Sequence, residues 1–312
     1  MQNVKLLNYL HLHFIVFIWG FTAVLGALIS LPSVSLVWWR MSIAVVFITL
    51  YLWIKKIDWF PRQALRQPDY KKLGILLVAG VIIALHWVTF FAAIKVSNVS
   101  VTLAMISTGA FFTALMEPLF MKRKIILYEL LFGFIIVLAL IYIFQVETQY
   151  LSGMLLGISS AILSALFSII NGTLAKAYRP SLISFWELLG GIVVLSLLLL
   201  LPDISVFEKL GLSLQDFWGF QGNDWFWLLI LAIICTSYAF IASVKVMRYI
   251  SPYTVMLTIN LEPVYGILLA YLVFGDAEAM TPEFYYGAAI IIVTVIANGI
   301  LKVRRKEKVI PA

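Results

Sequence analysis

Ten stretches of mostly apolar residues, each about 20 long, set the limits on what this chain can become. They fall near 10–29, 34–54, 73–94, 99–121, 126–144, 151–174, 181–201, 225–245, 251–274 and 284–301. At 1.5 Å per helical residue each stretch matches the hydrocarbon thickness of a bilayer. Each is too long for a barrel strand, and backbone groups in lipid must find partners within their own segment, so the spans are read as α-helices. Composition agrees: 63% of the 312 residues are hydrophobic and 12% are charged, where a soluble domain carries about 25% charged residues. The expected fold class is therefore all-α, a polytopic membrane protein with ten transmembrane helices.

Charge sets an expected orientation. Lys5, Lys55, Lys56, Arg62, Arg66, Lys71 and Lys72 fall on one side, followed by Lys122, Arg123 and Lys124. Lys176, Arg179, Lys245, Arg248 and the run from Lys302 to Lys308 join them, making 19 of the 22 Lys and Arg residues. Basic loops stay in the cytoplasm, so both termini are expected there, in a bacterial inner (plasma) membrane. Glu147, Asp203, Glu208, Asp216, Asp224, Asp276, Glu278 and Glu283 fall on the opposite side. Within 202–224, a short interfacial helix near Val206–Leu214 competes with a flexible external loop.

The sequence also divides into two five-helix halves, expected as 1–147 and 148–312 of one transmembrane domain. LVWWRMSIAVV at 36–46 echoes ISFWELLGGIVV at 183–194, which sets Arg40 against Glu187, 147 positions apart. FFAAIKV at 90–96 echoes FIASVKV at 240–246, with Lys95 and Lys245 separated by 150. Glu117-Pro118 and Glu262-Pro263 are 145 apart but fall at different depths, through a few residues of register drift or because the two pairs are unrelated. Five is odd, so the second half must sit inverted relative to the first. Inverted repeats underlie alternating access in many transporters.

Ionisable residues inside a span are costly and should face a cavity or a partner. Glu262 is central in its span, beside Asn260, and Pro263 denies the Ile259 carbonyl its usual helical donor. Glu262 is read as cavity-facing, with helix pairing as the bland alternative. Arg40 and Glu187, after Trp39 and Trp186, are read as gate or substrate contacts, or as groups that snorkel. Arg40 and Glu187 are not expected to bridge one another. His86 would line a cavity or bond between helices. Ser107, near Thr108 and Gly109, and Trp19, before Gly20, complete the expected substrate-binding set: Trp19, Arg40, His86, Ser107, Glu187, Asn260 and Glu262. Gly153 and Gly157 form a GxxxG pair read as a close helix contact.

Several chemistries find no support. A GxxxxGK[ST] loop, an HExxH pair, a CxxC and a nucleophile elbow are all missing, so an enzyme is not expected. The single Cys235 is read as a small buried hydrophobe. No metal, cofactor or nucleic-acid partner is expected, the net charge of +7 being explained by topology.

The whole-chain organisation resembles the EamA-type branch of the drug/metabolite transporter superfamily. FIVFIWGFTAVLGALI at 14–29, LVWWRMSIAVVFI at 36–48 and SPYTVMLTINLEPVYGILLAYLVFGDAE at 251–278 carry the likeness. The last resembles the family's late Pro-bearing helix through Ser251, Pro263 and Asp276 or Glu278. The resemblance implies a central cavity and movement of small organic solutes such as amino acids and related metabolites, often outward. Proton coupling through His86 or Glu262 is conceivable. The competing readings are a membrane-embedded accessory or sensory protein without solute flux, and a lipid-translocating carrier.

Overall fold

A computed structural model describes residues 2–60, 69–121, 127–200, 216–250 and 252–309. Among them every regular element is helical. In chain order these are Gln2–Leu28 (α1), Ser33–Ile54 (α2), Tyr70–Val96 (α3), Val99–Ile106 (α4), Gly109–Met121 (α5), Leu127–Val146 (α6) and Leu151–Leu174 (α7). Pro180–Leu198 (α8), Asp224–Ala232 (α9), Ala239–Val246 (α10), Pro252–Ile259 (α11), Glu262–Phe274 (α12) and Pro282–Val309 (α13) follow. The basic residues Arg62, Arg66, Lys122, Arg123 and Lys124, the Val206–Leu214 segment and Ser251 lie outside the described residues.

Seven helical runs among the described residues are long and apolar enough to cross a membrane. They are Leu6–Leu28 in α1, then α2, α3, α4 with α5, α7 with its preceding turn, α8, and α9 through α10. The fold is thus all-α and multi-pass. The other expected spans are helical but fall short by that measure. α6 offers the shorter apolar run Leu131–Val146, α11 and α12 are separate short helices, and α13 runs into the charged tail. Leu272 (79% exposed), Leu119 (75%) and Val293 (64%) lie on the outer surface, which is where lipid replaces water as solvent.

Three expected spans are not regular helices. The break between α4 and α5 falls at Ser107-Thr108, where each hydroxyl donates to a carbonyl three residues back, Ala104 at 2.6 Å and Met105 at 2.7 Å. Such back-bonding competes with the helix. The break between α11 and α12 falls at Asn260-Leu261, and Pro263 sits in the first turn of α12, a position where its missing N–H costs nothing. Between α9 and α10 the chain widens into a π turn over Ile233–Tyr238.

Small residues set the closest approaches. A Cβ on Gly80 of α3 would meet the Glu187 carbonyl oxygen of α8 at 1.9 Å, and one on Gly190 would meet the Leu77 oxygen at 2.6 Å. A Cβ on Gly153 would meet Ser97 Oγ at 2.3 Å, and one on Gly157 would meet Met105 Cβ at 2.7 Å, so the GxxxG pair is a close contact within the chain.

Three of the acids on the side opposite the basic loops are buried fasteners. Glu278 accepts from the Val99 and Ser100 amides, both at 3.0 Å, and from Ser100 Oγ at 3.0 Å. It thereby neutralises orphan donors at the start of α4. Glu147 accepts from Thr281 Oγ1 at 2.6 Å. Asp224 holds the Ser30 amide at 3.0 Å, and the Lys95 ammonium donates to the neighbouring Ile29 carbonyl. Elsewhere in the bundle Asp69 accepts from the Lys72 amide at 3.0 Å and from Tyr178 Oη at 3.1 Å. Arg248 donates to the Ala175 carbonyl at 2.7 Å and to that of Tyr178.

Candidate functional site

Four helices of the larger core, α1, α2, α3 and α12, turn polar or amphipathic residues toward a common cavity: Trp19 and Thr22, Arg40, His86 and Trp87, and Glu262. α7 adds Ser164, Ser168 and Asn171. The cavity measures about 60 Å³. Phe90, Phe167 and Phe240 make the remaining wall largely aromatic.

Arg40 is 1% exposed. Its guanidinium carbon stands 3.9 Å from the centre of the Trp87 ring and 5.5 Å from that of Phe91, a cation–π arrangement strengthened by exclusion of water. Arg40 Nε donates to Thr236 Oγ1 at 2.5 Å. Its Nη1 has no hydrogen-bond partner. The π turn sets up this contact: Thr236 Oγ1 itself donates to the Leu231 carbonyl at 2.8 Å, five residues back. The same turn offers the Cys235 carbonyl to Trp19 Nε1 at 3.1 Å.

His86 both lines the cavity and joins helices. Its Nδ1 lies 2.9 Å from the Ser160 carbonyl and 2.7 Å from Ser160 Oγ, and that hydroxyl donates to the His86 carbonyl at 2.9 Å. The arrangement satisfied on both sides has Nδ1 protonated, which leaves Nε2 as an acceptor. The ring is tilted against Phe167 at 5.3 Å. Glu262 is 8% exposed and sits in the first turn of α12, where the helix dipole favours a carboxylate. Arg40 and Glu262 face the same cavity.

The remaining three expected residues stand apart from the cavity. Ser107 is consumed by its bond to Ala104, although the preceding Ile106 reaches the wall. Asn260 is buried with Nδ2 unpartnered, and its neighbour Ile259 takes the place on the wall. Glu187 is buried in contact with Asn171 and does not meet Arg40. The serines of α7 were not among the expected residues. Their signal was the spacing Ser160, Ser164, Ser168, Asn171, one polar residue per turn on one helix face.

No group of three or more His, Cys, Asp or Glu side chains able to hold a metal ion occurs among the described residues. Cys235 is free and buried.

The sequence matches the profile described as "EamA-like transporter family" over residues 8–145 and again over 151–299. The chain belongs to this family. Its members are transporters rather than enzymes, which agrees with the missing catalytic motifs. A comparison with curated proteins gives no match. A solved structure described as "Crystal structure of protein" aligns with a TM-score of 0.63 at 14% identity, covering 94% of this chain and 96% of that one. At that identity the likeness concerns the fold alone. The chain is thus a multi-pass membrane transporter of the drug/metabolite superfamily.

Proposed function

We propose that this EamA-family chain is a secondary carrier for small zwitterionic organic solutes, amino acids and their relatives, exporting them by alternating access. One observation carries the reading: the unpartnered Arg40 Nη1 and the Glu262 carboxylate share a cavity whose other walls combine aromatic and aliphatic side chains with the small polar groups of Ser164, Ser168 and Asn171. A solute carboxylate would give Arg40 its missing acceptor, and a solute ammonium would answer Glu262. A charge-assisted hydrogen bond is worth about 1.5–3 kcal/mol, so a solute lacking either charge would lose tenfold or more in affinity. Apolar side chains would rest on Phe90, Phe167 and Phe240.

The packing supports ten spans in two inverted repeats, 1–147 and 148–312. α1 packs on α12 as α7 packs on α4 and α5. α3 packs on α7 and α8 as the α9–α10 span packs on α1 and α2. α2 with α8, and α6 with α13, pair across the proposed axis. The helix breaks at Ser107 and Asn260 are 153 positions apart, continuing the offsets of 147 and 150 seen elsewhere. The two family matches divide the chain at the same place. Two similar halves can exchange conformations, opening the cavity first to one side and then to the other. The basic-loop pattern supports cytoplasmic termini, read here for a bacterial inner membrane.

A packed interior without a cavity beside Glu262 and His86 would favour the accessory-protein alternative; both residues line a cavity, which supports the carrier reading. Proteoliposomes loaded with radiolabelled L-leucine, L-valine and L-phenylalanine test the carrier reading. The expected result is efflux of at least one, competed by other amino acids but not by isobutylamine or 4-methylpentanoate. Folded protein that moves no amino acid, or that responds equally to the single-charge analogues, overturns it.

A further inference from the structure

The carrier reading leaves a buried acid unused. Glu187, 0% exposed, sits on α8 with its backbone carbonyl pressed against Gly80 of α3. Its Oε2 accepts from Asn171 Nδ2 at 3.4 Å. The other two polar atoms of this pair, Glu187 Oε1 and Asn171 Oδ1, are both buried and both without partners.

With Glu187 ionised, both orphans are acceptors and neither can satisfy the other. An ionised carboxylate would also be held away from water with one weak hydrogen bond and no countercharge, an arrangement that costs several kcal/mol. A single proton on Oε1 removes both difficulties. The O–H then donates to Asn171 Oδ1 while Asn171 Nδ2 donates to Oε2, closing a two-bond acid–amide ring.

The surrounding elements offer no rival explanation. α7 contains no titratable residue between Leu151 and Leu174. The Arg40 guanidinium of α2 is turned to Thr236 and Trp87, His86 of α3 to Ser160, and Lys245 of α10 to the exterior. Among the groups that act on the Glu187 carboxyl, the Asn171 amide is the polar neighbour. Asn171 also forms part of the cavity wall.

We propose that Glu187 is a proton-binding site of the carrier, a neutral carboxylic acid ringed with the Asn171 amide and discharged through the cavity that Asn171 lines. It is separate from the Arg40 and Glu262 pair assigned to the solute, and its coupling role rests on the carrier reading. On discharge the Glu187 O–H bond breaks, its electron pair stays on the carboxylate, and the proton passes to cavity water. Asn171 Nδ2 continues to hold the carboxylate until a proton from the other side restores the bond.

Infrared difference spectroscopy on the full chain in nanodiscs tests this without any solute. The spectrum of wild type minus Glu187→Gln at neutral pH should contain a protonated-carboxyl C=O stretch that shifts in deuterated water. The corresponding Glu262→Gln variant should retain that band. The Glu187→Gln substitution keeps a side-chain amide able to ring with Asn171, so the variant should melt near wild type. Should it fail to insert, Asn171→Ala supplies the second reading, because loss of the amide partner moves the same band to higher frequency. A wild-type minus Glu187→Gln spectrum showing only ionised-carboxylate stretches, or an Asn171→Ala band that does not move, overturns the proposal. In proteoliposomes, proton-gradient-driven flux of whichever of L-leucine, L-valine and L-phenylalanine the wild type moves should be lost in Glu187→Gln, and retention of gradient-driven flux also overturns it. If the wild type moves none of L-leucine, L-valine and L-phenylalanine, the solute reading fails while the spectrum still decides the proton site.

Discussion

Replacing Gly80 by alanine tests the closest helix contact among the described residues. The added Cβ would lie 1.9 Å from the Glu187 carbonyl oxygen, 2.8 Å from its carbon and 3.0 Å from its Cα. All three are backbone atoms, so no side chain can rotate out of the way. A carbon approaches a carbonyl oxygen to about 3.3 Å at best, and α3 and α8 would have to separate locally by about 1.4 Å. Overpacking of this kind costs about 1–3 kcal/mol, offset in part by up to about 1 kcal/mol of helix propensity gained over glycine. A net loss of about 1–2 kcal/mol corresponds to a fall of about 2–8 °C in melting temperature. Gly74→Ala in the same helix is the control, because an added Cβ there meets nothing within 4 Å and should hold or raise the melting temperature. Thermal unfolding of both variants in one detergent compares them directly. A Gly80→Ala protein that melts at or above the Gly74→Ala protein would refute the reasoning, since α3 and α8 could not then be packed backbone to backbone.

Three further outcomes follow from the other contacts. Glu262→Gln should insert and melt normally yet lose at least tenfold in amino-acid efflux, and normal efflux with an unaltered pH profile would remove Glu262 from the site. Glu278→Gln should cost about 1–3 kcal/mol, because an amide turns one donor toward the donors at the start of α4, while the exposed Glu283→Gln should leave the melting temperature unchanged. Burial and the neighbouring Asp69 carboxylate push the Tyr178 phenol above its usual range. The folded protein therefore holds this proton more tightly than the unfolded chain and loses stability as pH rises through the alkaline range. Tyr178→Phe should flatten that alkaline fall, and an unchanged slope would count against the Tyr178–Asp69 bond.

The helices could be read from the chain because lipid admits so few alternatives: a 20-residue apolar run has to satisfy its backbone internally. The same constraint made the charged part of the cavity legible. Arg40, His86 and Glu262 had to turn inward, since none has a cheap place among acyl chains, and Trp19 came with them through the small residue beside it. Ser107 and Asn260 misled because a short polar side chain can be absorbed within the bundle; Ser107 bonds its own helix. Glu187 misled for another reason: Asn171, sixteen positions earlier, reaches it from the adjacent helix, and no spacing within one span announces such a pair. Pro263 marked one helix break, which lies just before it at Asn260-Leu261. The break at Ser107-Thr108 has no proline at all and comes from two hydroxyls acting together. Glu147, Asp224 and Glu278 read as loop charges because their partners are backbone amides and hydroxyls supplied by distant parts of the chain.

IICTSY, the sequence of the π turn, contains no glycine or proline and would pass as ordinary helix. It nevertheless holds one residue more than a regular coil of the same height needs. Deleting that surplus would tighten the coil and swing the two ends of the span by about 100° relative to each other. Thr236 and the Cys235 carbonyl could not then both keep their present aim at Arg40 and Trp19. The azimuth of two residues on distant helices is in this way tied to the length of a six-residue stretch that meets them only through a hydroxyl and a carbonyl.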